Sequence, residues 1–588
     1  MNYHDFEEAC LDPLYPSLGE RVRLRVYTGA KEGVLVYEEG GELRRKPLSP
    51  FPGGLEATLP LPESPFRYVF FLKGASPTGE HGEEAWVYLG SHGLERTLPR
   101  YDRFFHLLAH PLPPTWALGA VFYQIFPDRF RKGKTPPPRT GAWFYEGRPI
   151  VQKAWDEPPD PKTGSREFYG GDLYGILEAL PHLKDLGVEA VYLTPIFQSP
   201  SVHRYDTQNY LAVDPHLGGM EAFLALREGL REAGIRLVLD GVFNHTGNLH
   251  PDFQEALLDP ESPKRGMFTF YPDGGYASFF GVRTLPKVDY ASPLAKERII
   301  LGENAPVRYW MRHADGWRLD VAHQIGEGGT NRNNEGLLRL IAHTAKAENP
   351  EAFVFGELSF DTVPTLRAHT LDGSMHYAGF AHPVMEWLSG RNIHGEEVRV
   401  GAEEAWQTLF DHYAALPLNL RHSMYTLIGS HDIPRPLWRL KEGVRRLEVA
   451  FGLLFAFPGS PGIYYGDEIG LSQANPYEDW RGDPYCRGTF PWEKARWNLG
   501  LLAWVRRLSA LKRSEPALRQ GGLLPLKAPE GVLAFRRRHG HEEVWVYASP
   551  SPYVLNLPPG VDLLSGQPVQ GRLEAEGLLL FKPEKKLY

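Results

Sequence analysis

Four short apolar runs in this sequence lead into a carboxylate: Leu239-Asp240, Trp317-Arg318-Leu319-Asp320, Phe355-Gly356-Glu357 and Ile428-Gly429-Ser430-His431-Asp432. Cleavage of a glycosidic bond needs two facing carboxyls, one to attack or activate water and one to protonate the leaving oxygen. A third would steady the positive charge that develops on the sugar. Arg318 precedes Asp320 by two residues and so shares its strand face, where its charge would keep Asp320 ionised as a nucleophile. Glu357 would then hold a proton, its pKa raised by nearby negative charge. A single strand-end acid is as well explained by a helix cap or an ion pair. Four of them, with His245, Arg318, His323 and His431 close by, point to one shared site. Asp240, His245, Asp320 and His431 are also potential cation ligands. No His-Glu-x-x-His spacing accompanies them, so neither a catalytic metal nor another cofactor is expected.

Strand ends can converge only if the strands run parallel around a common mouth. From about residue 118 short apolar runs alternate with helical periods: Val121–Phe126, Ala190–Leu193, Arg236–Leu239, Gly316–Leu319, Phe353–Phe355, Tyr425–Ile428 and Gly462–Tyr465, with a further strand expected near Met375-His376-Tyr377. Ile176, Leu180 and Leu183 predict a helix that stops at Gly187, and Phe223, Leu226 and Leu230 one that ends near Gly234. The series is that of a (β/α)₈ barrel, a rhythm shared in part by doubly wound sheets, and a barrel places its chemistry at the carboxyl ends of the strands. Residues 246–290 break the rhythm and read as an inserted loop domain after the third strand.

Alternating segments such as Val22–Tyr27 and Phe66–Phe70, separated by Gly/Pro turns, make residues 1–115 an N-terminal β-sandwich. The stretch His110–Pro114 reads as a linker to a catalytic barrel over 116–512. Beyond it, Val532–Phe535 and Val544–Tyr547 flank a turn at His539-Gly540, so 513–588 is expected to be a C-terminal β domain. The chain of 588 residues is 42% hydrophobic and 23% charged, the balance of an ordinary globular protein. Its formal charge of −8 comes without a basic block, which argues against a nucleic-acid partner. No signal-like start and no run of about 18 apolar residues occurs, so neither export nor a membrane span is expected. Two cysteines, Cys10 and Cys486, are too few for a disulfide framework and fit a reducing cytoplasm.

Asp240–His245, Gly316–Asp320, Gly356-Glu357 and Ser430-His431-Asp432 resemble, in order, four signatures of the α-amylase superfamily of glycoside hydrolases (family 13). The resemblance implies Asp320 as nucleophile, Glu357 as acid/base and Asp432 as the acid that bonds ring hydroxyls in the transition state. It also implies that His245 and His431 hold hydroxyls of the same sugar, on which Tyr205 of Ser201–Thr207 stacks. Val121–Phe130 and Leu285-Pro286-Lys287-Val288-Asp289 are similar to maltodextrin glucosidases, neopullulanases and cyclomaltodextrinases. In that subgroup Asp483 and Arg487, in Asp483–Arg487, would bound the non-reducing side of the site. Gly316–Asn334 and Trp155–Pro158 look most like maltodextrin glucosidase. The implied activity is retaining cleavage of α-1,4 bonds in malto-oligosaccharides or cyclodextrins, with transfer to sugar acceptors permitted. The N-terminal domain of such relatives often supports a homodimer. Ser430 stands where many relatives carry Asn, and the stretch after Phe130 lacks the Asp/Asn pattern of calcium-binding relatives, so no structural calcium is expected.

Overall fold

The computed structural model describes residues 2–75 and 85–584; residues 76–84 of the expected N-terminal block and 585–588 of the C-terminal one lie outside them. Its centre is a ring of eight parallel strands: β1 (Phe122–Ile125), β2 (Ala190–Leu193), β3 (Arg236–Gly241), β4 (Gly316–Leu319), β5 (Phe353–Gly356), β6 (Gly373–Ser374), β7 (Tyr425–Leu427) and β8 (Ser460–Tyr464). Neighbours pair in sequence order from β1 to β6, β8 pairs with both β1 and β7, and a single parallel bridge between Met375 and Tyr425 closes the seam. The rhythm therefore belongs to a barrel.

Strands buried on both faces are mostly apolar, and those of the ring are so apart from polar residues such as Gln124, Asp240 and Arg318. Alternate residues point inward: Phe122, Tyr192, Val238, Phe353, Phe355 and Tyr425 fill the lumen. The same alternation turns Gln124, Asp240 and Arg318, further along their strands, toward the carboxyl-end mouth. Register sets them side by side, Gln124 opposite Tyr192 and Asp240 opposite Arg318. Gly316 is needed where β4 starts, because a Cβ there would meet the Phe353 carbonyl oxygen at 2.1 Å.

Two expectations shift. The weak sixth strand lies at Gly373–Ser374, ahead of the expected 375–377, and Tyr377–Ala381 already winds helically after Met375 has closed the ring. The helix drawn through Ile176, Leu180 and Leu183 is two helices, Leu173–Glu178 and Leu180–Asp185, because Pro181 has no N–H to continue the first. Gly187 and Gly234 follow their helices with φ of 72° and 70°, the left-handed stop their positions suggest.

Residues 246–290 form a folded excursion between β3 and β4. It carries a helix, Pro251–Leu258, is bridged internally from Phe268 to Val288, and is tied back by a bridge of His245 to Lys287. Before the barrel, two antiparallel sheets face each other over Val22, Leu24, Leu35, Phe70 and Leu72. After it, Gly522–Pro525, Leu533–His539, Glu542–Asp562 and Pro568–Pro583 make a four-stranded sheet. The last two strands run counter to each other, with Trp545 opposite Phe581 and Leu557 opposite Gly571. Among the described residues no helix is long and apolar enough to cross a membrane. Cys10 and Cys486 are buried and unpaired.

Candidate active site

Arg318 is the centre of the mouth. Its guanidinium is fully buried, with Nη1 3.0 Å from Asp240 Oδ1 and 3.0 Å from Asp320 Oδ1, and Nη2 3.1 Å from Glu357 Oε2. Burial opposes its charge, but the surrounding acids, Asp240 foremost, hold it firmly protonated. Three carboxyls therefore share one cation, a negative surplus in a poorly solvated place. Burial pushes Asp240 up to about 6 against the pull of Arg318. Burial and then the charge of Glu357 raise Asp320 well above the usual carboxylate range, with Arg318 only partly opposing. The sequence expectation was that Arg318 keeps Asp320 ionised; the expected contact is present, and the guanidinium is also shared with Asp240 and Glu357. Glu357 is the more open of the two, its side chain 20% exposed, and accepts from the Val321 N–H at 2.9 Å.

A second layer surrounds the acids. Tyr205 donates to Asp240 Oδ2 at 3.0 Å and pairs with His431 Nε2 at 2.6 Å, its ring lying over His431 at 5.7 Å and 7°. The other nitrogen of His431 is 2.7 Å from the Gln124 amide, and burial holds the imidazole neutral. Asp432 Oδ2 lies 3.3 Å from His431 Nε2 and its Oδ1 accepts from Arg487 Nη2 at 3.3 Å, yet the side chain is 38% exposed and open to a ligand. Arg487 is fixed from below by the His431 carbonyl at 2.8 Å and reaches Asp483 at 3.0 Å. His245 Nε2 lies 3.9 Å from Asp320 Oδ2 and has no hydrogen-bond partner.

The residues expected to be catalytic or substrate-binding, Tyr205, His245, Arg318, Asp320, Glu357, His431, Asp432, Asp483 and Arg487, fall in this one contact network. Asp240 belongs to it as the residue where Tyr192 (2.6 Å), Tyr205 and Arg318 meet. Of the potential cation ligands, Asp240 and Asp320 bond the Arg318 guanidinium, while His431 bonds Gln124 and Tyr205 and His245 bonds Asn244. Sequence reasoning missed Gln124 and Tyr192, which orient His431 and Asp240. The available signal was a polar side chain inside an apolar strand. It also left Asn244 and Lys287 without roles, although both lie in quoted motifs. Two tryptophans from the same stretch as Asp483 and Arg487 pack against neighbouring rings: Trp492 lies 4.4 Å from the Phe490 ring and donates to the Phe130 carbonyl, and Trp480 packs on Trp438 and Tyr477.

Residues 124–277 and 273–500 match the family model described as alpha amylase, catalytic domain. The cyclomaltodextrinase of Geobacillus thermopakistaniensis is 33% identical over 84% of this chain and 79% of its own length. Neopullulanase 2 of Thermoactinomyces vulgaris is 31% identical over 88% and 85%. The solved structure of a cyclomaltodextrinase superposes over 99% of both chains with a TM-score of 0.71 and 26% identity. The chain belongs to the α-amylase family of glycoside hydrolases.

Proposed function

We propose that this chain is a retaining hydrolase of α-1,4-glucosidic bonds in short α-glucans. The observation that carries the reading is Arg318 joining Asp320 and Glu357 through different nitrogens, which brings two carboxyls together and supports one attacking while the other protonates. Asp320 attacks C1 while the Glu357 proton passes to the leaving oxygen, giving a glycosyl ester on Asp320 and a free sugar end. Glu357 then takes a proton from water, whose oxygen attacks C1, breaks the ester and returns both carboxyls to their starting state. For that step Glu357 must carry a proton and Asp320 must be ionised. Positive charge growing on the sugar beside Asp320 favours that distribution, since it stabilises the ionised nucleophile. A sugar hydroxyl in place of water produces transglycosylation.

In this reading Asp432, His245 and His431 hold hydroxyls of the reacting sugar, Tyr205 offers its ring, and Asp483 and Arg487 bound the non-reducing side. The preferred substrate is a linear maltodextrin cut to release glucose, on the resemblance of Gly316–Asn334. Ring opening of cyclodextrins is the second reading, favoured by the names of the relatives. The reading further places a metal-independent enzyme in the cytoplasm, with the N-terminal sheets available for a homodimer. Product analysis on maltotriose, longer maltodextrins, β-cyclodextrin and pullulan tests it. Early glucose from linear chains supports the first reading, and rapid ring opening or panose from pullulan the second. No turnover on any of them overturns both.

A further inference from the structure

Lys287 is a buried lysine with no carboxylate against its ammonium: Nζ donates to the Asn244 amide oxygen at 2.6 Å and to the Gln324 carbonyl oxygen. It comes from the 246–290 excursion, Asn244 from the chain just beyond β3, and Gln324 from the segment after β4. An ammonium has donors only, so the Asn244 oxygen must face it. That fixes the amide the other way round toward His245, whose Nδ1 lies 3.1 Å from Asn244 Nδ2. An NH₂ group can only donate, so Nδ1 accepts and the ring proton is left on Nε2. Nε2 is the atom beside Asp320 Oδ2, buried and without a hydrogen-bond partner. Burial first, then the charge of Lys287, push His245 down to about 3; the nearby Tyr205 carbonyl opposes them least and forms no hydrogen bond to Nε2, so the ring stays neutral and single-donor.

We infer that Lys287 and Asn244 are positioning residues that set the tautomer of His245, so that it presents an N–H, not a lone pair, to a substrate hydroxyl next to Asp320. The inference rests on the proposed catalytic reading but concerns the polarity of the relay. With a donor at Nε2, the bound hydroxyl keeps its own hydrogen for an acceptor, and Asp320 is the nearest one. A lone pair at Nε2 would instead compete with the carboxylate for that hydrogen.

The decisive variant is Asn244→Asp in the full chain. A carboxylate of the same shape makes a stronger pair with Lys287 but accepts at both oxygens, which forces the His245 proton onto Nδ1. The expected result is a fall in kcat/KM on maltotriose on the order of 10²-fold, the cost of losing one oriented donor, with a melting temperature no lower than that of the parent. In a His245→Ala background the same substitution should cost less than about 2-fold, since the relay then has no end point. Lys287→Met, measured below its own melting temperature, should repeat the pattern: a loss with His245 present and little without it. Parent-like activity of Asn244→Asp would overturn the inference, as would equal losses with and without His245. Failure of the catalytic reading shows separately, as residual turnover in Asp320→Asn.

Discussion

Arg318 at the mouth of the barrel and Arg421 at its base are both buried, and each faces acid. At the base the account is balanced: Arg421 Nη1 meets Asp5 Oδ1 at 2.7 Å, Tyr413 donates to Asp5 Oδ2 at 2.8 Å, and the Phe6 N–H adds a third bond. Burial alone would raise Asp5, but Arg421 and the backbone bring its carboxyl below the usual range. At the mouth one guanidinium serves Asp240, Asp320 and Glu357, and Asp320 is pushed upward. The base therefore spends its charges on joining the N-terminal segment to the barrel. The mouth sets three carboxyls on one guanidinium and disfavours Asp320 as an anion, an imbalance that substrate chemistry can use. Buried ion pairs fasten when charges match one to one and become reactive when they do not.

Asp320→Asn breaks the comparison most severely at the mouth. Turnover on maltotriose should fall by about 10⁴-fold or more, as for removal of a nucleophile elsewhere. The melting temperature at pH 7 should hold or rise, because a neutral amide replaces a carboxyl that its surroundings disfavour as an anion. Chromatography and a thermal melt read the two effects, and a large drop in stability would mean that Asp320 serves the fold. Glu357→Gln should cost about 10²- to 10⁴-fold on maltotriose but far less on an α-glucosyl fluoride, whose leaving group needs no proton. Equal losses on both substrates would remove the acid role from Glu357. Arg421→Met works in the opposite sense. It leaves Asp5 buried without its cation, which should cost about 3–5 kcal/mol of stability by denaturant titration while kcat at a permissive temperature stays near that of the parent.

The mouth was more legible in the sequence than the base, for a physical reason. Barrel strands are short apolar runs, so Asp240, Arg318 and Asp320 stand out against their neighbours, and strand alternation fixes which of them face one another. Asp5 and Arg421 have no such setting. They lie more than 400 residues apart in the chain, in stretches without a regular period, and only folding brings them together. The same limit hid Lys287, whose partners Asn244 and Gln324 come from separate loops. The weak sixth strand was misplaced because two residues pairing around glycine carry almost no periodic signal. The division of Arg318 among three acids was hidden for a related reason. The pairing of Asp320 with Arg318 is local and visible, whereas the competition from Asp240 and Glu357 is tertiary.

A milder test of the same contrast lies beside the mouth, at Asp206. This buried carboxyl follows Tyr205 in the chain, accepts from the Ser201 hydroxyl, and is pushed up to about 7 by burial, with no arginine bonded to it. Its native pKa exceeds its unfolded value, so the folded protein binds more protons than the unfolded chain between about pH 4 and pH 7. Stability from this group is therefore present on the acid side, declines as pH rises through that window, and is flat above it. Asp206→Asn removes the titration. Relative to the parent, the variant should gain stability as pH climbs from 4 to 7, by at most about 1.4 kcal/mol per pH unit, and the difference should level off beyond 7. Buried neutral histidines such as His4, pushed down to about 4, contribute the opposite slope, but they are common to both proteins and cancel in the difference. Paired thermal melts across the range read it directly. A difference that is constant with pH would mean that Asp206 titrates normally, and that a carboxyl beside the mouth can be as well matched as Asp5 is at the base.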